Sequence, residues 1–327
     1  MPQFIERIDE PQIPPPYLLP GIEIRSFELA ADLHKMRALC DKMLNIGSLA
    51  DRGFEYRPWP LPFVALEILT YPHMSSEAPP FSNWGYITQQ EVYIRFPVVK
   101  YDLLPLGQLL IPVEVSNFFP FIFVDNAWSA FSGREVIGMP KVIGTIAQHT
   151  AADQSYSAGL DLPVFVTHTP GTAQTMETVV GVQTGVPLAV PPGPFVLGWP
   201  WLLKTASDLG TFASSLLLEI LELLDPGAFS TVQLKQIRDA EVPTEACFQG
   251  VVRSDFTVAS LSDPVLFQSA EVTLPPFASL RMAEELGLSA IQPIEAAVAY
   301  SIGCDMRMGA ARNLFVRWRP GQSALSI

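Results

Sequence analysis

Short runs rich in valine, isoleucine and phenylalanine recur along most of the chain, and each is bounded by proline, glycine or asparagine. Such runs are typical of β-strands, because β-branched and aromatic side chains pack well on a pleated surface and the bounding residues favour turns. A chain built largely from strands must fold into sheets, sandwiches or barrels. The sequence predicts strands at 61–70, 91–99, 120–126, 141–147, 160–168, 231–237, 247–259 and 313–318.

Helical patterns are confined to a few segments. Residues 28–46 place apolar side chains at three- and four-residue steps, which predicts a helix. Further helices are predicted over 205–224 and 278–286. The proline-rich segment 185–201 favours an ordered loop or lid, because proline cannot continue regular structure.

This order of elements favours a mainly β fold near the α+β margin. We expect an antiparallel sheet that curls into a β-barrel, with a few flanking helices. One domain over residues 1–327 accounts for the pattern. It begins with an extended N-terminal arm over about 1–21 and carries a proline-rich and helical insertion over about 172–230.

The charge balance argues against two classes of partner. The net charge is −13 and no Lys/Arg cluster occurs, whereas nucleic acids and anionic membranes require a basic face. The N-terminus lacks the charged and apolar regions of a signal peptide. The most apolar helical stretch, 209–227, carries Glu219 and Glu222 and is too short to span a bilayer comfortably. We expect no nucleic acid and no membrane.

Composition also bears on location and assembly. Three scattered cysteines, Cys40, Cys247 and Cys304, suit reduced thiols and a cytoplasmic location. Only 16% of the residues are charged while 49% are hydrophobic, so we expect some apolar surface to be buried between subunits. Apolar stretches such as 118–124 also motivate the prediction of a homo-oligomer.

No pattern in the sequence indicates a metal or a cofactor. The four histidines lack metal-ligand spacing such as HExxH. Neither GxGxxG nor GxxxxGK[ST] occurs, so nothing suggests a nucleotide. We therefore predict no metal site and no cofactor.

Lys141 is the residue that most suggests catalysis. It is the only charged side chain between Glu135 and Asp153, and its neighbours in the sequence are mostly apolar. One interpretation is an aliphatic stem that packs on a strand and extends its amine into water. The other is an amine kept out of water, which favours the neutral form that can attack a carbonyl. The apolar surroundings favour the second interpretation.

The segment 123–144, FVDNAWSAFSGREVIGMPKVIG, resembles the signature of the acetoacetate decarboxylase family. That family has an aspartate–asparagine pair at a strand end, a Gly-Arg-Glu triplet and a Pro-Lys pair whose lysine forms a Schiff base. The matching positions here are Asp125, Asn126, Gly133, Arg134, Glu135, Pro140 and Lys141. The segment 91–97 is similar to the family's active-site strand, which places Glu91 on the family's active-site glutamate. The resemblance implies a barrel of the acetoacetate decarboxylase type.

Two positions differ from the family pattern. Val142 stands where family decarboxylases carry a second lysine, so no adjacent cation can activate Lys141. Desolvation by Met139, Val142 and Ile143 would have to activate the amine instead. Tyr17 stands where the family has an arginine thought to face the substrate carboxylate.

If 91–97 is a strand, Glu91 and Arg95 lie on the same face. Glu91 could then move a proton or orient the imine, and Arg95 could hold a carboxylate. An ion pair at the surface or between subunits is the alternative for Arg95. We predict catalytic roles for Lys141 and Glu91, substrate-binding roles for Arg95, Met139 and Tyr17, and structural support from Arg134 and Glu135, interpreted as an ion pair that braces the lysine loop.

The predicted activity is a Schiff-base lyase that acts on a β-keto or 2-oxo acid through an iminium and enamine on Lys141. Decarboxylation is the default reaction. An iminium withdraws electrons, so loss of CO₂, retro-aldol cleavage and loss of water can each follow from it. An aldolase–dehydratase on the same lysine is therefore one alternative. A catalytically inactive barrel that binds a hydrophobic ligand is another.

Overall fold

The computed structural model describes residues 11–104, 109–188 and 229–318, which form two β-sheets with short helices at their edges. In chain order the strands are β1 (Tyr17–Ala30), β2 (Phe54–Pro58), β3 (Phe63–Ser76), β4 (Ile87–Leu103), β5 (Leu110–Val124), β6 (Lys141–Ile143), β7 (Thr145–Thr150), β8 (Tyr156–Val164), β9 (Thr175–Thr184), β10 (Phe229–Arg238), β11 (Ala246–Leu261), β12 (Val265–Leu266), β13 (Ala270–Thr273), β14 (Ile294–Glu295), β15 (Val298–Met308) and β16 (Arg312–Trp318). The helices are α1 (Leu33–Met43), α2 (Leu49–Arg52), α3 (Ala127–Phe131) and α4 (Met282–Leu286), with a 3₁₀ turn at Phe81–Asn83 and a π-helical turn at Ser132–Val136.

The larger sheet closes into a barrel. Its strands follow the order β15-β1-β3-β4-β5-β10-β11, and β11 also pairs with β15, which joins the two ends. Neighbouring strands are antiparallel except β5 and β10. The short strand β6 joins β5 in parallel, and β2 pairs with β4. The predicted antiparallel barrel is confirmed.

Two apolar cores lie on opposite sides of the barrel wall. Leu66 and Ile94 of the wall belong to an outer core that also contains Met36 of α1 and Leu160 of the second sheet, whose strand order is β14-β13-β9-β8-β7. Leu69, Tyr93 and many other wall residues belong to an inner core that fills the barrel. Side chains on alternate strand residues therefore face either the second sheet or the barrel interior.

Several predicted elements differ from the structure at their boundaries; the helix expected at 278–286, for example, begins at Met282. For two of them the structure shows the cause. The helix expected at 28–46 begins at Leu33, because Asp32 caps it by accepting hydrogen bonds from the backbone N–H groups of His34 and Lys35 at 2.7 and 3.1 Å. Residues 28–30 instead end β1. The strand expected at 141–147 is divided between the two sheets at Gly144. A Cβ there would lie 2.5 Å from Leu162, so the crossing is too crowded for another side chain.

Other predicted segments are only partly described. The arm expected at 1–21 contains the start of β1 at Tyr17. The insertion expected at 172–230 contains β9, which pairs with β8 and β13. The helix predicted at 205–224 lies outside the described residues, as does most of the loop predicted at 185–201.

The apolar run 118–124 is buried within the chain itself. Phe118 and Phe123 belong to the outer core, and Phe119 and Ile122 to the inner core. Intramolecular packing therefore accounts for the apolar character of this run, which gives no separate support for a subunit interface. In the described part of the chain, none of the helices has the length and apolar character needed to cross a bilayer.

Candidate active site

Lys141 points into the barrel at the start of β6. Its side chain is 6% exposed, and β6 is held against β5 by pairing of Lys141 with Ile122. The Nζ atom donates hydrogen bonds to Glu91 Oε2 at 2.7 Å and to Ser129 Oγ at 2.8 Å. The amine is thus buried among polar partners, and the stem does not extend it into water.

The turn before Lys141 holds the lysine stem closely. An added Cβ at Gly133 would lie only 2.5 Å from Lys141 Cδ, so only glycine fits without displacing the lysine. Gly133 O accepts a hydrogen bond from Met139 N at 2.9 Å, and Met139 O accepts one from Lys141 N at 2.7 Å. Gly138 has a φ of 76°, which favours glycine. These contacts fix where the lysine stem enters the barrel.

Glu91 is brought to the lysine by the alternation of β4. The strand pairs with β3 through Leu69 and with β5 through Val124, and the Glu91 side chain faces inward. Its side chain is as buried as that of Lys141, since both are 6% exposed. Gln89, two residues earlier on the same face, donates from Nε2 to Glu91 Oε2 at 3.4 Å. The carboxylate is therefore held between an amide and an amine.

The Asp-Asn pair of the signature positions Ser129 and does not contact the lysine amine. Asp125 Oδ1 accepts a hydrogen bond from Gln90 N on β4 at 2.8 Å. Asn126 caps α3 by accepting bonds from the backbone N–H groups of Trp128 and Ser129 at 2.9 and 3.3 Å. The helix then presents the Ser129 hydroxyl to Lys141.

The predicted shielding of the amine by its sequence neighbours is partly wrong. Val142 and Ile143 are 41% and 47% exposed and lie at the surface. Met139 is buried and lines the cavity beside the amine. Water is kept from Lys141 mainly by residues of distant strands that form the inner core, which local sequence does not indicate.

A small cavity of about 60 Å³ lies beside Lys141, and we call it the lysine cavity. Its wall includes Glu91, Met139 and Tyr17, so three of the predicted site residues meet the lysine there. The Tyr17 hydroxyl donates to Ile13 O at 2.6 Å. Burial raises the pKa of Tyr17 far above its ordinary value, so it is a neutral phenol and cannot replace the charge of an arginine.

Arg95 lies in the barrel beside a second cavity of about 40 Å³, which we call the arginine cavity. Its guanidinium forms an ion pair with Glu67 at 2.8 Å and donates to Asn117 Oδ1 at 3.0 Å. The ion pair anticipated for Arg95 therefore exists, but inside the barrel instead of at a surface. The side chains that line both cavities are Tyr93, Phe119, Phe229 and Met306.

Arg134 and Glu135 support the lysine loop from outside the barrel. Arg134 Nη1 donates to the backbone oxygen of Lys141 at 3.2 Å. Glu135 accepts a hydrogen bond from Gln12 of the N-terminal segment. The two side chains, both described, do not form the ion pair that was expected between them. Arg134 instead holds the backbone at Lys141, and Glu135 binds the N-terminal segment through Gln12.

Sequence reasoning missed Ser129 and Gln89. Ser129 lies within the signature segment, but nothing in its spacing shows that a short helix aims it at Lys141. Gln89 could have been found, because it precedes Glu91 by two residues on a predicted strand. Within the described residues, no group of three or more His, Cys, Asp or Glu side chains could hold a metal ion.

This arrangement suits covalent chemistry on a carbonyl compound. A buried amine that faces a cavity can attack a ketone once it loses a proton, and a carboxylate at 2.7 Å can accept that proton. The Ser129 hydroxyl, which lies 2.8 Å from the amine nitrogen, can both donate and accept a hydrogen bond. The site therefore contains a nucleophile and a group that can act as both base and acid.

The family model described as acetoacetate decarboxylase matches residues 1–187. Among solved structures, an acetoacetate decarboxylase from Legionella pneumophila is 15% identical, with a TM-score of 0.57, over 92% of this chain and 87% of that one. The enduracididine biosynthesis enzyme MppR complexed with pyruvate is 15% identical, with a TM-score of 0.54, over 93% and 91%.

An acetoacetate decarboxylase-like enzyme from Sphingomonas wittichii is also similar in fold. It is 15% identical, with a TM-score of 0.51, over 91% of this chain and 92% of that one. No curated protein matches the chain. At these identities the structural likeness bears on the fold, whereas the family model spans Glu91, Ser129 and Lys141.

Proposed function

Because the chain belongs to the acetoacetate decarboxylase family, we propose that it is a Schiff-base lyase that acts on a small β-keto or 2-oxo acid through Lys141. The observation that carries the proposal is the buried contact of 2.7 Å between Lys141 Nζ and Glu91 Oε2 at the wall of a cavity. Members of this family are enzymes, and both residues lie within the matched region.

Glu91 has a role in forming the iminium. It takes a proton from Lys141 Nζ, and the free amine adds to the substrate carbonyl to give a carbinolamine. The protonated Glu91 then returns its proton to the departing hydroxyl, and water leaves. The product is an iminium whose nitrogen comes from Lys141 and whose carbon comes from the ketone. Ser129 can hold the hydroxyl during this exchange, because it already lies 2.8 Å from the nitrogen.

Decarboxylation follows if the substrate is a β-keto acid. The electrons of the bond to the carboxylate move into the iminium, CO₂ leaves, and an enamine remains. Protonation of the enamine carbon and addition of water then release the ketone and the free lysine. The wall of the lysine cavity is largely apolar, including Leu19, Leu69 and Met139, and poor solvation of a carboxylate favours its loss as neutral CO₂.

An aldolase–dehydratase is the second candidate reaction, and one observation favours it. Tyr17 supplies no cation for a substrate carboxylate, because a phenol carries no positive charge in either protonation state. Similarly folded MppR has been captured with pyruvate and with the condensation product of pyruvate and imidazole 4-carboxaldehyde. Both reactions would begin with the same iminium on Lys141.

The inactive-barrel alternative is disfavoured by the buried charges. Removing an ammonium and a carboxylate from water costs several kcal/mol per ion, which only good partners can offset. A barrel that simply held a hydrophobic ligand would gain nothing from a Lys141–Glu91 pair at its cavity.

We also propose that the protein is cytoplasmic and forms a homo-oligomer. Light scattering tests the oligomeric state, and a monomer of 35.9 kDa would contradict it.

A panel of keto acids separates these possibilities. Acetoacetate, longer β-keto acids and pyruvate with an aldehyde would be incubated with the protein while CO₂ release and ultraviolet absorbance of enone products are followed. We expect CO₂ from a β-keto acid, or enone absorbance if the second reaction operates. Lys141→Met should abolish either signal, while Lys235→Met should keep it. No signal with any compound would contradict the proposal.

A further inference from the structure

Two polar side chains on β10 are buried without a hydrogen-bond partner. Thr231 and Gln233 are each 1% exposed. Within the described part of the chain, the Thr231 hydroxyl and both polar atoms of the Gln233 side chain have no partner. Buried polar groups are almost always satisfied, because an unmade hydrogen bond forfeits the interaction with water. These two side chains therefore require a partner from elsewhere.

Both side chains face the barrel interior. Val232, between them, belongs to the outer core, and Phe229 at the start of β10 lines both cavities. Since successive side chains of a strand point to opposite faces, Thr231 and Gln233 lie on the same face of β10 as Phe229, which is the face towards the barrel interior. They face the barrel interior beside the two cavities, although neither side chain is part of either cavity wall.

The pairing of β10 places Thr231 beside the arginine cavity. Thr231 pairs with Asn117 of β5, and the Asn117 side chain lines that cavity. Gln233 follows two residues later, level with Phe119, whose ring lines both cavities. On its other side Thr231 pairs with Ser254, which is also buried. Polar groups thus surround the part of the interior next to the lysine cavity.

The charge of this region is balanced. Arg95 carries the positive charge at the arginine cavity, and Glu67 neutralises it at 2.8 Å. The remaining polar groups, Asn117, Thr231 and Gln233, are uncharged. A second carboxylate in the substrate would have to compete with Glu67 for Arg95. An uncharged oxygen would need only the donors that Thr231 and Gln233 offer.

We propose that Thr231 and Gln233 form a second subsite that binds an uncharged hydrogen-bond acceptor at the far end of the substrate. The substrate class is then an oxo acid whose carbonyl reacts with Lys141 while its chain passes Tyr93 and Phe119 to an ether, hydroxyl or carbonyl oxygen. This inference rests on the proposed Schiff-base function. It adds a distinct requirement, which is selection for a polar tail over an apolar tail of equal length.

Matched pairs of oxo acids test this selection. In each pair, one methylene of a linear 2-oxo acid is replaced by an ether oxygen, as in 2-oxoheptanoate and 5-methoxy-2-oxopentanoate, and several chain lengths are compared. The rate of borohydride-trapped adduct formation is measured as a function of concentration. At the best length we expect the ether to react about tenfold more efficiently than the alkane, the effect of one hydrogen bond gained in a buried site.

Variants show whether the selection comes from the two side chains. Thr231→Val and Gln233→Leu should each reduce or reverse the preference for the ether, while the alkane reacts at least as well as before. Gln236→Leu is the control, because Gln236 is exposed on the same strand and should leave the preference unchanged. A merely structural role would lower both rates together and would not alter their ratio.

Failure of the subsite can be distinguished from failure of the proposed function. If pyruvate forms an adduct but no chain length shows a preference for the ether, the subsite is contradicted and the Schiff-base proposal stands. The subsite is also contradicted if the two variants keep the wild-type preference. If neither pyruvate nor any paired oxo acid forms an adduct, the Schiff-base proposal fails and the subsite fails with it.

Discussion

Gly133→Ala tests whether the exact position of the lysine stem matters for activity. The added Cβ would lie 2.5 Å from Lys141 Cδ and 2.9 Å from Cε, whereas carbon atoms in contact prefer about 3.5–4.0 Å. The atoms it meets belong to a flexible side chain, so the lysine must move by roughly 1 Å while the backbone can stay in place. Such a movement extends the Nζ contacts of 2.7 and 2.8 Å beyond hydrogen-bond length.

The expected result is a large loss of activity with a small loss of stability. A displacement of about 1 Å at a reacting group can cost on the order of 100-fold in rate. Overpacking a buried site costs about 1–3 kcal/mol of unfolding free energy. Adduct formation with a keto acid would measure the first effect, and denaturant unfolding the second.

Gly159→Ala is the matched control for this substitution. A Cβ at Gly159 would have Thr178 Cγ2 as its nearest contact at 3.9 Å, which is ordinary van der Waals separation. Both activity and stability should remain near those of the wild type. Wild-type adduct formation in Gly133→Ala would refute the idea that close packing of Gly133 positions the amine.

Three further predictions follow from the buried groups. Glu91→Gln keeps the shape of the side chain but removes the base, so imine formation should slow by about 100-fold or more; an unchanged rate would remove Glu91 from the mechanism. Arg95→Met should lower the free energy of unfolding by about 3–5 kcal/mol, because it leaves the Glu67 charge buried without its guanidinium partner. Adding Glu67→Met to this variant should recover much of the loss. A double-variant loss equal to the sum of the two single-variant losses would contradict a coupled pair. Burial raises the pKa values of Cys40 and Cys304 from 9.0 to about 12, so both thiols stay protonated in the folded protein at moderately alkaline pH. Iodoacetamide should then label only the partly exposed Cys247 until the chain unfolds, and rapid labelling of Cys40 in the folded state would show that it is not buried. The free energy of unfolding should fall as pH rises through 9 towards 12, because both thiols can ionise only in the unfolded chain.

The fold could be predicted from local patterns to a useful extent. The Val, Ile and Phe runs predicted many of the strands, because apolar β-branched composition and bounding turn residues are local features. The strands β1, β9 and β15 were not predicted. Division of 141–147 at Gly144 could not be predicted, since it depends on Leu162 of the second sheet meeting the chain there. The start of α1 at Leu33 could have been predicted from the capping preference of Asp32.

The candidate site was predictable where it follows strand alternation or the family-like segment. Placing Lys141 and Glu91 in one site depended on that resemblance, because they are fifty residues apart. The alternation of β4 correctly predicted that Glu91 and Arg95 share a face. The partners of these residues were not predictable, because Ser129 is aimed by a short helix and Glu67 arrives from a separate strand. Contacts of this kind arise only when distant segments pack together.

Trapping the covalent intermediate tests the central claim most directly. The wild-type protein would be reduced with borohydride in the presence of acetoacetate or pyruvate, and the modified peptide identified by mass spectrometry. The chain contains six lysines, and Lys235 is a demanding competitor, because burial lowers its pKa. We expect the adduct on the peptide that contains Lys141, lost in Lys141→Met and retained in Lys235→Met. An adduct on another lysine, or full turnover in a folded Lys141→Met protein, would contradict the account.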